Sequence, residues 1–191
     1  MVFISCLLPF CFIVGDAISG NLGSDPIQTL HFRTGDWALR FLLVTLAITP
    51  VQRFLKFSAA MRFRRMLGLF SFFYASFHLL VWLVLDQSLS LENMLYDVPE
   101  SPYIMLGLLA YLMLLPLAMT SNLVSMRALG AKWQSLHRVV YLVAVLGLVH
   151  FFWLTKLDLR EPLIYTAVLL VLLAFRWPYF KRLWLKKWSG K

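Results

Sequence analysis

An all-α membrane bundle of six transmembrane helices, with both termini cytoplasmic, is the fold class that three features of the 191-residue sequence predict. Hydrophobic residues make up 61% of the chain and charged residues only 14%, against about 45–50% and about 25% in a soluble domain. The apolar residues come in blocks, and the charges between the blocks are sorted by sign. This composition excludes a soluble globular domain, a disordered tail and a collagen-like fibre. Period-2 alternation is absent, which excludes a membrane barrel. The whole chain, 1–191, reads as one domain with a core over 25–180.

The blocks run Met1–Val14, Trp37–Val51, Met66–Leu85, Tyr103–Met119, Val139–Leu154 and Pro162–Phe175. A helix needs about 20 residues to cross about 30 Å of hydrocarbon. The third block meets that length outright; the others extend by flanking aromatic or snorkelling residues such as Arg40, Arg53 and Trp177. The first block, at about 21 Å, is short, and no basic residue precedes it as a signal peptide requires. It is expected to be a helix lacking its first turns, through a truncated chain start. Pro50 and Pro116 fall near helix ends, where they are tolerated.

Six spans divide the connections into two sets. One set carries Arg53, Lys56, Arg62, Arg64, Arg65, Arg127, Lys132 and Arg138, and the tail adds Arg176, Lys181, Arg182, Lys186, Lys187 and Lys191. That is fourteen of the 18 basic residues, while all nine acids fall on the other side. The positive-inside rule makes the basic set cytoplasmic. The net charge of +9 is thereby accounted for by a membrane face, and no nucleic acid is needed to explain it. The stretch Trp177–Trp188 interleaves aromatic and basic residues, as an interfacial anchor on anionic lipid does. Cys6 and Cys11 read as inert thiols, and CxxC, HExxH, P-loop, GxGxxG and GxSxG motifs are absent.

Three of the four histidines lie in or at the edge of the third and fifth blocks; His31 reads as an outer-loop residue. An ionisable side chain within a span is costly and marks function by default, the bland alternative being an interhelical hydrogen bond. His78 stands 12 residues in from Met66 and His150 11 in from Val139, so both imidazoles reach similar depth, about 16–18 Å from the inner boundary. Two histidines at one level on neighbouring helices can ligate a haem iron from both faces. Zinc or copper fits less well, because no carboxylate or thiolate lies nearby. Ala75 and Gly147, each three residues before its histidine, would admit a flat macrocycle. Tyr74 and Trp82 flank His78, which aromatic packing explains equally well.

His137 precedes His150 by 13 residues, about 20 Å, and on a straight helix points about 140° away. It therefore holds a second haem alone or serves as a cytoplasmic-edge group. The helix-3 positions that would face a second haem are Arg64 and Arg65, suited to propionates or a flavin phosphate, with Lys132 and Arg138 as further electrostatic candidates.

The run Arg64-Arg65-Met66-Leu67-Gly68-Leu69 with His78, then Leu129-Gly130, Trp133-Gln134, Leu136-His137-Arg138 and Tyr141 to His150, resembles the MsrQ (YedZ) family of haem-binding membrane subunits. Gly23-x-Asp25-Pro26 and Ile48-Thr49-Pro50 add to a match covering about Leu8 to Tyr179. The wider relatives are ferric-reductase-like transmembrane domains, which usually carry two histidines on each of two helices; here Arg64 and Arg65 stand where the fourth would be. The resemblance implies an inner-membrane b-type cytochrome with FMN as a further family cofactor. It implies electrons from the quinone pool or a cytoplasmic flavin reductase, passed to the periplasmic molybdoprotein MsrP for methionine sulfoxide repair. His78, His137 and His150 are the haem-associated residues it carries over. An electron-transfer subunit is expected, rather than the catalytic subunit. The alternatives are a stand-alone haem ferric reductase and a non-redox transporter or structural bundle.

Overall fold

The computed structural model describes residues 1–56, 58–155 and 158–176, and all regular structure among them is helical. The basic aromatic stretch 177–191 lies outside the described residues. Nine α-helices follow in order: α1 Val2–Ile18, α2 Pro26–Leu55, α3 Met61–Val81, α4 Leu91–Glu100, α5 Pro102–Met119, α6 Leu123–Leu129, α7 Ala131–His137, α8 Val140–Leu154 and α9 Arg160–Ala174. A 3₁₀ turn, Ser58–Ala60, leads into α3, and a π turn, Trp82–Asp86, extends it.

Among the described residues, four stretches are long and apolar enough to cross a membrane: Pro26–Leu55, Ser58–Asp86, Pro102–Met119 and Ala131–Leu154. The terminal helices α1 and α9, with 17 and 15 residues, are shorter, about 26 Å and about 22 Å. The apolar blocks thus each become a helix, but not with the expected bounds. The largest departure is α2, which starts eleven residues before Trp37. Asp25 caps it by accepting from the Gln28 N–H at 3.0 Å, and Pro26 supplies a preset first turn. Polar side chains in its first eleven residues find partners: Arg33 pairs with Asp16 of α1, and Asp36 with the Tyr165 hydroxyl of α9 and with Arg40 one turn on in α2 itself. His31 is consequently a helix residue and not a loop residue. The short helices α4, α6 and α7 have no counterpart among the apolar blocks.

Helix α2 packs chiefly on α3 and α5 chiefly on α8; α3–α5 and α2–α8 contacts join the two pairs. The shared core holds Leu39, Leu43 and Leu46 of α2, Ala110 and Leu114 of α5, and Val143, Ala144 and Leu148 of α8. Outward, Leu109, Leu112, Leu142, Val145 and Leu170 are exposed, the surface that lipid would cover. Charges separate by end. Arg53, Arg62, Arg64, Arg65, Arg127 and Lys132 sit where α2 ends, α3 begins and α6 and α7 lie. Asp16, Asp25, Asp86, Glu92 and Asp97 sit at the other end.

A second cluster, largely aromatic, fixes α1 against α2 and α3 through Phe41, Phe70 and Tyr74. Tyr74 is fully buried. Its hydroxyl accepts from the Phe10 N–H at 3.0 Å and donates to the Cys6 carbonyl at 2.8 Å. In an undisturbed helix those two groups would bond each other. The phenol is thus inserted into the ladder beside Pro9, which itself offers no N–H. Tyr74→Phe should lower stability in detergent by about 1–3 kcal/mol, measured by thermal unfolding; a melting curve that superimposes on that of the parent would refute the insertion.

Candidate functional site

A cavity of about 670 Å³ lies between α2, α3, α5 and α8, towards the end that carries the acids. Its walls are mostly apolar, with Leu39, Leu42, Leu108, Leu114 and Val143 at depth and Asp25, Asp86 and Asp97 at the rim. His78 and His150 face each other in it, ring centroids 6.1 Å apart and planes crossed at 79°. The similar depth expected from their positions in α3 and α8 is what the helices deliver.

Each ring is held by its Nδ1. His150 Nδ1 lies 2.7 Å from the Tyr103 carbonyl of α5. His78 Nδ1 lies 3.1 Å from the His31 carbonyl and 3.1 Å from the Thr34 hydroxyl, both of α2. A carbonyl oxygen has no proton to give, so Nδ1 carries the hydrogen on both rings. The Nε2 atoms are then left as lone-pair donors, the state a metal requires of a neutral imidazole.

The two helix carbonyls are available for one reason, used twice. Gly35 follows His31 by four residues, and Gly107 follows Tyr103 by four. A helical side chain covers the turn before its own Cα, so a residue at that position would shield the carbonyl. A Cβ on Gly35 would stand 3.2 Å from His78 Cε1 and Nδ1; one on Gly107 would stand 2.9 Å from the same atoms of His150. Each histidine therefore rests on bare backbone. Gly35 and Gly107 are the single glycines of α2 and α5, and an isolated helix glycine at a cost of about 1 kcal/mol is the signal that marks them. Of the small residues expected at this site, Ala75 and Gly147 both line the cavity, and Gly147 has open space where a Cβ would be.

His31 is also drawn in. Its ring meets His78 edge-on at 5.3 Å, and its Nε2 donates to Asp86 at 2.6 Å. Trp82 lines the cavity; Tyr74 does not, being spent on α1. His137 stands elsewhere. It stacks on Trp133 at 3.8 Å, with Nδ1 3.1 Å from the Trp133 carbonyl and Nε2 3.2 Å from the Leu117 carbonyl. Arg64, Arg65 and Arg138 do not line the cavity, and Arg138 bonds the Gln134 carbonyl and Ser135 hydroxyl of its own turn.

This donor set fits a haem better than a small ion. Among the described residues no three His, Cys, Asp or Glu side chains converge as a metal cage would need. Two imidazoles bound at about 2.0 Å to one iron from opposite faces have centroids about 6 Å apart, as these do. The apolar volume beside them lies within the range of about 300–1,000 Å³ usual for bound cofactors.

Comparison with known proteins agrees. Residues 34–148 match the model of the ferric reductase like transmembrane component family. The chain is 42% identical over 179 residues to the protein-methionine-sulfoxide reductase heme-binding subunit MsrQ of Polaromonas naphthalenivorans, covering 92% of this chain and 82% of that protein. It is 43% identical to the MsrQ of Herminiimonas arsenicoxydans, covering 95% and 86%, and 47% identical to that of Xanthomonas euvesicatoria, covering 83% and 72%. With a four-helix cavity that presents two inward histidines and relatives this similar along most of its length, the chain belongs to the ferric reductase like transmembrane family and, within it, to the MsrQ heme-binding subunits.

Proposed function

We propose that the chain is the b-type haem electron-transfer subunit of a protein-methionine-sulfoxide reductase system, with His78 and His150 as the axial pair. The observation that carries this is the pair itself: two imidazoles with ring centroids 6.1 Å apart, both lining one cavity, each with Nδ1 held against a helix carbonyl. Haem iron, when bound, supplies one-electron Fe(III)/Fe(II) chemistry. The protein's part is to orient both rings, to keep them neutral donors, and to surround the site with Leu and Val. His137, engaged by carbonyls on both nitrogens, is read as an edge group rather than a member of this pair.

The membrane arrangement follows from charge. We place the chain in the bacterial inner membrane with six crossings, α1 and α9 included, and with the basic end cytoplasmic. The cavity then opens towards the periplasm, and its acidic rim of Asp25, Asp86 and Asp97 suits delivery to a periplasmic acceptor, MsrP. Electrons would come from the quinone pool or a cytoplasmic flavin reductase, with FMN as the flavin on that side. A stand-alone ferric reductase shares the same site and differs in acceptor, so reduction of purified MsrP against ferric chelates separates the two.

The purified chain should show reduced-minus-oxidised bands of a low-spin b-type haem; a featureless difference spectrum rejects the reading. His78→Ala and His150→Ala should each abolish that signal. His137→Ala should keep it, as should His31→Ala, since His31 holds His78 through its backbone.

Gly107→Ala should raise intrinsic helix propensity by about 1 kcal/mol yet lose the haem, because its Cβ intrudes on His150. A variant with full haem content would show that the glycine is not what seats the ring.

For topology, single cysteines at Glu92 and Lys132, in a chain with Cys6 and Cys11 replaced by Ala, should differ in labelling by an impermeant maleimide. Glu92 should react from the periplasm and Lys132 only after lysis; the reverse result inverts the assignment.

A further inference from the structure

Three atoms accept from the two Nδ1–H groups, and two of them are backbone carbonyls that no substitution removes. The third is the hydroxyl of Thr34, a residue with no exposed surface. Thr34 Oγ1 lies 2.6 Å from the Leu30 carbonyl, to which it gives its own proton, and 3.1 Å from His78 Nδ1, from which it accepts. Back-bonding to the carbonyl four residues earlier is ordinary for a helical threonine. The ordinary bond does not require that the remaining lone pair meet an imidazole on another helix. Here it does, giving a chain from His78 Nδ1–H through Oγ1–H to the Leu30 carbonyl, in which each bond polarises the next.

The two rings are held unequally. His150 has one short bond of 2.7 Å, whereas His78 divides one hydrogen between two acceptors at 3.1 Å. An acceptor on Nδ1–H pushes electron density towards Nε2 and makes the imidazole a stronger donor. A stronger donor favours Fe(III), so loss of the acceptor raises the reduction potential.

We propose that Thr34 is a positioning residue for His78 whose hydroxyl sets the donor strength of that imidazole, and with it the reduction potential of the haem shared with His150. This rests on the haem reading above, and haem content tests that reading separately.

The experiment is a spectroelectrochemical titration of the full chain with haem quantified per polypeptide, for the parent, Thr34→Val and Thr34→Ser. The Val variant keeps the branched shape and loses the acceptor; the Ser variant keeps the acceptor. Thr34→Val should shift the Fe(III)/Fe(II) equilibrium towards Fe(II) by about threefold, an increase of about 28 mV at 59 mV per tenfold for one electron. Thr34→Ser should stay at the parent potential. An unchanged or lowered potential in a haem-replete Val variant overturns the proposal, as does a Ser variant that shifts as far as Val. If Val binds no haem while Ser binds it at the parent potential, the hydroxyl is what holds His78, which supports the positioning role. Loss of haem from both would assign Thr34 to packing and overturn it. A parent chain without haem sinks the haem reading itself.

Discussion

An imidazole at membrane depth has no water to bond, so its N–H must find an acceptor in the protein. Most of this architecture can be read as the answer to that requirement. The acceptors are the His31 and Tyr103 carbonyls, groups already used within their own helices. A carbonyl has two lone pairs, and a glycine four residues on exposes the second. The solution needs a close helix pair at each histidine: α3 lies along α2 to present His78, and α8 lies along α5 to present His150. These are the two most extensive packings in the molecule, and the cavity is what remains where the pairs meet. Ring orientation, imidazole tautomer and helix packing are thus one constraint and not three.

Periodicity and charge made much of the fold legible. Apolar blocks located every long helix, and the segregation of signs is reproduced at the two ends of the bundle. What composition hid was the outer half of α2. Residues 26–36 include Gln28, His31, Arg33 and Asp36, a run that hydropathy scores as loop. Their polar side chains find partners within the protein: Arg33 pairs with Asp16 of α1, Asp36 with Arg40 one turn on and with the Tyr165 hydroxyl of α9, and His31 bonds Asp86. Such pairing is tertiary information, so a single-sequence reading assigns the segment to solvent.

The site divides in the same way. That His78 and His150 approach each other was legible because position along a helix is a count of residues, which a helix converts to distance. The helices facing them were not. A glycine three positions before a histidine on its own helix is visible in sequence, which pointed to Gly147. A glycine on the opposite helix is tied to its histidine only by packing, 43 residues apart for Gly35 and His78 and likewise 43 for Gly107 and His150.

The block that carries most of the resemblance, Trp133-Gln134 through His137-Arg138, packs its side chains on the end of α5. Helix α5 ends at Met119, leaving carbonyls of its last turn without intrahelical partners. The Trp133 indole N–H donates to the Thr120 carbonyl at 2.9 Å, and His137 Nε2 approaches the Leu117 carbonyl and the Ser121 hydroxyl. The two rings stack, so one element of α7 closes the end of α5 with two side chains held face to face. The chain then turns at 138–139 and starts α8, the helix that packs along α5 and carries His150 against it. Helix α5 is thus contacted at both ends, by α7 side chains near Leu117 and Thr120 and by the His150 ring of α8 at the Tyr103 carbonyl.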